Sequence, residues 1–144
     1  MTNPRIDNIS VVVDDLEAAK AFFAELGMEL EGQAPVGGPS VDRLIGLEDV
    51  RTDVAMMRTP DGHRIELTKF HTPPARAAAD TASPNTLGIG RIMFNVDDID
   101  DVVARLRTHG AELVGEVVQY DDSYRLCYLR GPAGILLALA EPLS

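Results

Sequence analysis

The sequence predicts an α+β fold made of two βαβββ modules, and two internal repeats carry this prediction. The stretch NISVVVDDLEAAKAFFAELGMELEG (8–32) matches RIMFNVDDIDDVVARLRTHGAELVG (91–115) at a constant offset of 83. TPDGHRIEL (59–67) matches GPAGILLAL (131–139) at an offset of 72. Each long repeat has alternating apolar residues, then Asp at a helix start and Gly at its end, which indicates strand, helix and returning strand. Each short repeat adds a turn and a strand.

The first module is expected to open with a strand from Ile6 to Val13. Side chains alternate across a strand, so its wholly apolar face should pack on a helix: Ile9, Val11 and Val13. The helix is predicted from Leu16 to Leu26, capped by Asp14 or Asp15 and ended by Gly27. Its apolar residues recur at helical spacing: Leu16, Ala19, Phe22, Phe23 and Leu26.

The remainder of the first module should supply three more strands. They are predicted at 28–31, about 50–57, and 64–69, the last following the turn Pro60-Asp61-Gly62. The offset between repeats falls because the first copy carries an extra Gly/Pro-bearing loop, Gln33 to Asp49. A loop of this length is often a lid. Within it, Ser40 is expected to begin a short turn of helix that presents Arg43 and Leu44.

The chain is expected to be a single domain of residues 1–144. Its first module is placed at 5–70 and its second at 89–142. The segment 71–88 between them contains HTPPARAAADTASPNTLG, with prolines, alanines and small polar residues but little apolar periodicity. This composition indicates a linker.

The second module repeats the pattern of the first. Its opening strand should direct Ile92, Phe94 and Val96 towards a helix predicted from Ile99 to His109. The opposite face of that strand carries Arg91, Met93 and Asn95. Strands are predicted at 124–130 and 135–141, each with one face directed away from the helix: Tyr124, Leu126 and Tyr128 on the earlier strand, Leu136, Ala138 and Ala140 on the later.

Composition excludes several classes of function. A formal net charge of −10 disfavours nucleic acid, and neutral or cationic ligands are easier to accommodate. No apolar run approaches the roughly 18 residues of a membrane span, and the start MTNPRIDNIS lacks the apolar region of a signal peptide. We therefore expect a cytoplasmic protein with no membrane partner. The single cysteine, Cys127, lies in an alternating strand and should be a packed thiol.

Three motifs carry a resemblance to a known superfamily. VDDL and VDDI follow the first strands of the two modules, and a PDG turn precedes a strand reading IEL. From Ile6 to Glu141 the chain resembles the vicinal oxygen chelate superfamily, which includes glyoxalase I-type lyases, extradiol dioxygenases, methylmalonyl-CoA epimerases, and fosfomycin and bleomycin resistance proteins. The resemblance implies an eight-stranded, cup-shaped sheet with helices outside and a ligand inside. It also implies a homodimer with a two-fold interface.

The resemblance further implies four metal-ligand positions, which in metal-dependent members hold His on the first strand of each module and Glu on the last. Here they are Asn8 and Arg91 on the first strands, and Glu66 and Ala138 on the last. A catalytic metal site normally has about three protein ligands. Asn8 is a poor ligand, Ala138 offers none, and the charge of Arg91 repels a cation. We therefore expect no metal and no other cofactor, with a divalent metal as the alternative.

The three histidines are not expected to replace the missing ligands. Surface roles are predicted for all of them: His63 in the PDG turn, His71 at the start of the linker and His109 at a helix end. Glu141 lies three residues beyond Ala138 and should face away from the cup.

Glu66 and Arg91 are the candidate catalytic residues. A buried carboxylate needs a partner, so they can equally be a structural ion pair. Strand parity gives the remaining candidate ligand-binding residues: Asn8, Ser10, Val54, Met56, Thr68, Met93, Tyr124, Leu126 and Tyr128. These side chains suit a small, partly apolar or aromatic molecule with polar substituents.

Three functions remain open from the sequence. The first is a metal-free binding protein that resembles the bleomycin resistance proteins. The second is a metal-free enzyme in which Glu66 moves a proton and Arg91 stabilises the resulting oxyanion. The third is a metal-dependent glyoxalase-like lyase or isomerase, or a dioxygenase, which the ligand positions disfavour.

Overall fold

The computed structural model describes residues 3–77 and 83–143, and it confirms the α+β class. Contacts divide the chain into two compact units, 1–76 and 77–144, each of which contains one βαβββ module. The two units are called the first and second unit below. Among the described residues, no helix has the length and apolar content needed to span a bilayer.

The first unit is a four-stranded mixed sheet with two helices. Its strands lie in the order β1-β4-β3-β2; β1 and β4 are parallel, and the other neighbours are antiparallel. In chain order the elements are β1 (Ile9–Val12), α1 (Leu16–Leu26), β2 (Glu29–Gly37), α2 (Pro39–Ile45), β3 (Arg51–Arg58) and β4 (Arg64–Thr72).

The second unit repeats this topology in a five-stranded sheet. Its strands lie in the order β5-β9-β8-β6, with β7 also paired to β8. The parallel pair is β5 with β9. In chain order the elements are β5 (Ile92–Asn95), α3 (Ile99–Arg107), β6 (Glu112–Leu113), β7 (Val118–Tyr120), β8 (Tyr124–Arg130), a 3₁₀ turn (Pro132–Gly134) and β9 (Leu136–Pro142).

Helix α1 begins after an aspartate and ends at a glycine, as the repeat predicts. The structure selects Asp15 rather than Asp14 as the cap, because its Oδ1 accepts the backbone N–H of Ala18 at 3.0 Å. Gly27 ends the helix at φ 114°, a left-handed conformation that favours glycine.

The helix of the second unit has the same start but a shorter end than predicted. Asp98 Oδ1 accepts the N–H of Asp101 at 3.1 Å, which repeats the cap of α1. The helix stops at Arg107, not His109, because Thr108 is its C-cap and donates its hydroxyl to the carbonyl of Arg105 at 2.6 Å.

The alternation of buried residues confirms the predicted strand parity. In β1, Val11 is buried while Val12 is 44% exposed, and that buried face continues at four residues of the neighbouring strands: Ala55, Met57, Ile65 and Leu67. Phe22 and Phe23 of α1 are fully buried against it in an edge-to-face pair with ring centroids 5.3 Å apart. The core of the second unit matches: Ile99, Val102, Val103 and Leu106 of α3, with Cys127, Leu129, Leu137 and Leu139 of the sheet.

The predicted long loop is more ordered than the sequence suggested. β2 continues to Gly37, because its residues pair with β3 along the whole strand. The following helix, α2, begins at Pro39 after Gly38, not at Ser40. Leu44 is 81% exposed on α2, as expected for a presented side chain.

The last strand of the first unit is longer than predicted. β4 runs to Thr72, so His71 belongs to the strand and not to the linker. Its ring Nε2 lies 2.8 Å from Asp53 Oδ2 on the neighbouring strand. Backbone pairing with β3, which reaches Thr72, extends β4 beyond the apolar stretch that the sequence pattern identified.

Candidate functional site

The predicted site residues on β1, β3 and β4 lie on the same face of the first sheet as Glu66. Register places Ser10, Glu66 and Met56 side by side, with Val12, Thr68 and Val54 in the next row. We call these six residues the Glu66 face. Thr68 is 7% exposed, and its hydroxyl donates to Glu66 Oε1 at 3.1 Å. Glu66 is therefore a half-buried carboxylate whose orientation is set by one hydroxyl.

Asn8 lies just before β1, and its side chain is engaged locally. Its Nδ2 donates to Asp7 Oδ2 at 2.8 Å. Asp7 also accepts Arg64 Nη2 at 2.8 Å, and Glu31 accepts Arg64 Nη1 at 3.1 Å. The hydrogen bond to Glu31, with the charge of Asp7, raises the pKa of Arg64 above its usual value. Asn8 thus borders a surface ion-pair network that the sequence reading missed.

The second unit brings together the remaining predicted residues. Met93, Ala138 and Tyr128 are cross-strand neighbours in one row, and Asn95, Ala140 and Leu126 form the next. We define the Arg91 face as these residues with the flanking positions, which are Arg91, Met93, Asn95, Tyr124, Leu126, Tyr128, Ala138 and Ala140.

Arg91 is exposed, and its guanidinium carbon lies 5.6 Å from the centroid of the Tyr128 ring. This distance is typical of a cation–π contact. The contact crosses β9, where Ala138 lies between β5 and β8. The single methyl group of Ala138 leaves room for it. The sequence reading missed this contact, although the shared parity of Arg91 and Tyr128 could have suggested it.

The tyrosines and the cysteine of β8 lie on opposite faces, as predicted. Tyr124 is 42% exposed, whereas Cys127 and Leu129 are 3% and 0% exposed. Burial raises the pKa of the Cys127 thiol, which disfavours the reactive thiolate. Cys127 is therefore a packed residue rather than a nucleophile.

Glu141 faces away from the Arg91 face and contacts the start of α3. Its Oε1 accepts the N–H of Ile99 at 2.8 Å. Beside it, Arg125 donates to both carboxylate oxygens of Asp100, at 2.7 and 3.0 Å. These hydrogen bonds lower the pKa of Asp100 and raise that of Arg125. This charged cluster supports the helix and is not part of the candidate site.

The residues at the four metal-ligand positions do not fit a metal. Asn8 donates its amide to a carboxylate, Arg91 is a cation held over a ring, and Ala138 has no donor atom. Glu66 alone has a suitable oxygen. Within 3–77 and 83–143, no three His, Cys, Asp or Glu side chains are grouped closely enough to hold an ion.

Two of the histidines have surface positions with carboxylate neighbours. The His63 side chain is 78% exposed, 3.6 Å from Asp61, and that of His71 is 40% exposed beside Asp53. A hydrogen bond from Thr59 lowers the pKa of Asp61.

The predicted pairing of Glu66 with Arg91 joins residues of different units and stays a prediction. Arg91 is exposed and Glu66 is half-buried. The candidate ligand-binding residues remain divided between the Glu66 face and the Arg91 face.

The first unit also has a surface depression of about 500 Å³ beside α2. It lies apart from the Glu66 face, and its lining is Gly38, Pro39, Asp42, Asp49, Val50, Arg51 and Thr72. None of these residues was predicted as a ligand contact, and no candidate catalytic group is among them.

Comparisons with known proteins agree with this architecture. A glyoxalase family protein from Bacillus cereus is 54% identical, with a TM-score of 0.94 over 100% of this chain and 97% of its own. The uncharacterized protein YaeR from Escherichia coli (strain K12) is 29% identical over 140 residues, which are 95% of each chain. TnmS3, an antibiotic binding protein from Streptomyces sp. CB03234, shares the fold at 20% identity, with a TM-score of 0.62 over 99% of this chain and 98% of its own.

The sequence profile of one superfamily spans nearly the whole chain. It matches residues 5–139 and covers both βαβββ modules. The chain belongs to the Glyoxalase/Bleomycin resistance protein/Dioxygenase superfamily.

Proposed function

We propose that this protein binds a small, partly apolar organic molecule, without the divalent metal used by metal-dependent members of the superfamily. The observation that carries the proposal is the chemistry at the ligand positions. Asn8, Arg91 and Ala138 together leave Glu66 as the one strong oxygen donor. One carboxylate falls short of the three or so protein ligands that a catalytic metal needs.

The composition of the two faces supports an organic ligand. Met56, Met93 and Tyr124 supply apolar or aromatic surface, while Glu66 and Arg91 supply opposite charges. Val12, Met93 and Tyr124 are 44%, 44% and 42% exposed, so apolar area remains available for contact. A few polar groups within apolar surroundings are typical of small-molecule sites.

Binding is tested by adding a fragment library to the purified protein and following its NMR spectrum. We expect partly apolar fragments to shift the methyl resonances of Met56 and Met93. Met28, which is 4% exposed on the opposite side of the first sheet, is the matched control and should shift little. Shifts confined to Met28, or none at saturating fragment, contradict the proposal.

The absence of the usual metal has its own test, which is equilibrium dialysis against zinc, nickel, manganese and iron. We expect no stoichiometric binding to the unmodified protein. The variant Asn8→His/Arg91→His/Ala138→Glu restores the ligand types that the superfamily resemblance implies, and we expect it to gain metal. Tight binding to the unmodified protein that disappears in Glu66→Ala would instead support a metal-dependent lyase, isomerase or dioxygenase.

Metal-free catalysis is the second candidate function, and the hydrogen bond from Thr68 to Glu66 favours it. A carboxylate oriented by a hydroxyl can accept a proton from carbon next to a carbonyl. The electron pair of the broken C–H bond stays with the carbon and delocalises onto the carbonyl oxygen, giving an enolate, and the sequence assigns stabilisation of that oxyanion to Arg91. Exchange of ligand C–H for deuterium from the solvent separates this function from binding. Exchange lost in Glu66→Gln but retained in Asp61→Asn assigns the proton transfer to Glu66.

Pairing between Glu66 and Arg91 is tested by a double-mutant cycle with Glu66→Gln and Arg91→Gln. Because Arg91 is exposed, we expect a coupling free energy below about 1 kcal/mol for any direct pair. A coupling of about 3 kcal/mol or more would indicate a desolvated pair.

We further propose that the protein is a cytoplasmic homodimer. The superfamily resemblance and the exposed apolar residues of α2 and its flanks, Leu44, Ile45 and Leu47, support self-association. Sedimentation equilibrium at micromolar concentration should give twice the chain mass of 15.6 kDa. A monomer across that range contradicts it.

A further inference from the structure

We propose that the Arg91 face selects an elongated, planar aromatic anion, with its carboxylate or phenolate at Arg91 and its rings extending towards Tyr124. This inference rests on the proposed binding function and names the class of ligand. All of the residues that carry it belong to the second unit.

The anion-binding end of this face is Arg91. Its guanidinium carbon lies over the Tyr128 ring, 5.6 Å from the centroid, and no carboxylate in the described part of the second unit is paired with it. A cation–π contact uses the charge of the guanidinium and does not consume its N–H groups, so the donors along its edge remain available to an anion. That edge matches the two oxygens of a carboxylate.

The aromatic end lies along β8 and β7. Cross-strand register pairs Tyr120 with Tyr124, and Val118 with Leu126, so these side chains continue the same face. Tyr120, Val118 and Tyr124 are 65%, 52% and 42% exposed. Exposed aromatic and branched side chains in adjacent rows form a surface on which a flat ring can stack.

Strand geometry sets the length of the ligand. Tyr124 and Tyr128 are four residues apart on β8, which is roughly 13 Å at about 3.3 Å per residue. A one-ring acid at Arg91 would not reach Tyr124. A two-ring acid would cover Leu126 and contact both ends.

The net charge of −10 opposes an anionic ligand at long range, and on that ground the sequence favoured neutral or cationic ligands. The net charge of the protein and the local charge of Arg91 act on a ligand over different distances. Salt screens exposed charges beyond about 8 Å at physiological ionic strength, whereas a carboxylate at Arg91 is in direct contact with the cation. The local charge therefore decides binding, and the net charge mainly slows the approach of the ligand.

The test measures the affinities of biphenyl-4-carboxylate and its neutral amide by calorimetry. We expect the carboxylate to bind about tenfold more tightly, which is the size of one charge-assisted contact. In Arg91→Gln this preference should disappear while the affinity for the amide stays the same. Arg107→Gln, which removes an exposed arginine from α3, is the control of equal charge and should keep the tenfold preference.

Two further measurements test the aromatic end. Tyr124→Ala should weaken both probes about fivefold, whereas Tyr124→Phe should retain binding. Benzoate, with one ring, should bind equally to the unmodified protein and to Tyr124→Ala. Arg91→Lys keeps the charge without the planar edge and should lose most of the preference, and it replaces Arg91→Gln if that variant fails to fold.

The outcomes separate this inference from the proposed function. If both biphenyl probes bind equally, or if the preference for the carboxylate survives in Arg91→Gln, the ligand class is wrong while organic-ligand binding stands. If neither probe nor any library fragment binds, the proposed function fails together with the inference.

Discussion

The two units start their helices at equivalent aspartate caps but carry opposite charges on the strand pair beside the helix. Asp53 faces Lys69 across β3 and β4, whereas Arg125 faces Glu141 across β8 and β9, at the repeat offset of 72. The carboxylate of Glu141 accepts the N–H of Ile99, a hydrogen bond that a lysine at the same place cannot accept.

The helices are consequently held by different interactions. α1 buries two phenylalanines in an edge-to-face pair, while α3 places the smaller Val102 and Val103 on the core. The second unit adds ionic contacts from Arg125 and Glu141 to its helix start. Duplication has preserved the backbone pattern, and the side chains that fasten each helix have diverged around it.

The connections before β3 and β8 also differ. Residues 38–50, including α2, join β2 to β3, whereas residues 121–123 join β7 to β8. The larger connection is closed at its base by Asp42, whose Oδ1 accepts the N–H of Val50 at 2.8 Å. The hydrogen bonds of Asp42 therefore order this connection where it enters β3.

The largest expected loss of stability follows substitution of Gly37, the last residue of β2 before the connection to β3. A Cβ added here would lie 2.4 Å from the carbonyl oxygen of Val50, a backbone atom that cannot move aside cheaply. We expect Gly37→Ala to lower the free energy of unfolding by about 3 kcal/mol, measured by urea denaturation. Gly32→Ala in the same strand meets open space and is the control. Equal losses of unfolding free energy in the two variants would show that the backbone contact between Gly37 and Val50 is not close enough to exclude a Cβ.

Removal of the Asp42 carboxylate should have the next largest effect. It would leave the N–H groups of Val50 and Asp49, now bonded at 2.8 and 3.2 Å, without these acceptors. We expect Asp42→Ala to cost about 2 kcal/mol and to speed amide exchange at Val50. Asp42→Asn keeps an acceptor oxygen and should lose less. Unchanged exchange at Val50 would show that the connection is held by other contacts.

Glu141 offers a test of the difference in helix attachment. Glu141→Ala should lower the free energy of unfolding by about 1 kcal/mol, the usual size of a lost helix N-terminal acceptor. Glu141→Gln retains an oxygen and should lose less. At the equivalent place in the first unit, Lys69→Ala is expected to be nearly neutral. A larger effect at Lys69 would reverse the comparison.

The smallest expected change in stability comes from Asp100 and is seen at low pH. Arg125 holds the pKa of Asp100 below its ordinary value of 3.8, so folding favours the ionised carboxylate. This contribution is fully present above the ordinary pKa and is lost as the pH falls through the lowered one. Asp100→Asn should therefore flatten the acid limb of unfolding free energy against pH. An acid limb with the same slope in Asp100→Asn as in the unmodified protein would contradict this assignment.

Sequence periodicity determined the α+β class, both modules and the bounds of α1, because helices and strands impose periods of 3.6 and 2 on buried residues. It also assigned the buried and exposed faces of β1, β5 and β8, including the burial of Cys127. The degenerate ligand positions Asn8, Arg91 and Ala138 came from the superfamily resemblance, which the sequence motifs carried. Each of these conclusions depends on local spacing.

The tertiary structure alone decided the features that depend on contacts between distant residues. β2 and β4 continue past their apolar stretches, because pairing with β3 satisfies backbone groups whatever the side chains are. The choice of Tyr128 as the neighbour of Arg91 required the strand order β5-β9-β8, which places Ala138 between them. Periodicity reports which way a side chain points, but only the order and register of the strands determine what it meets.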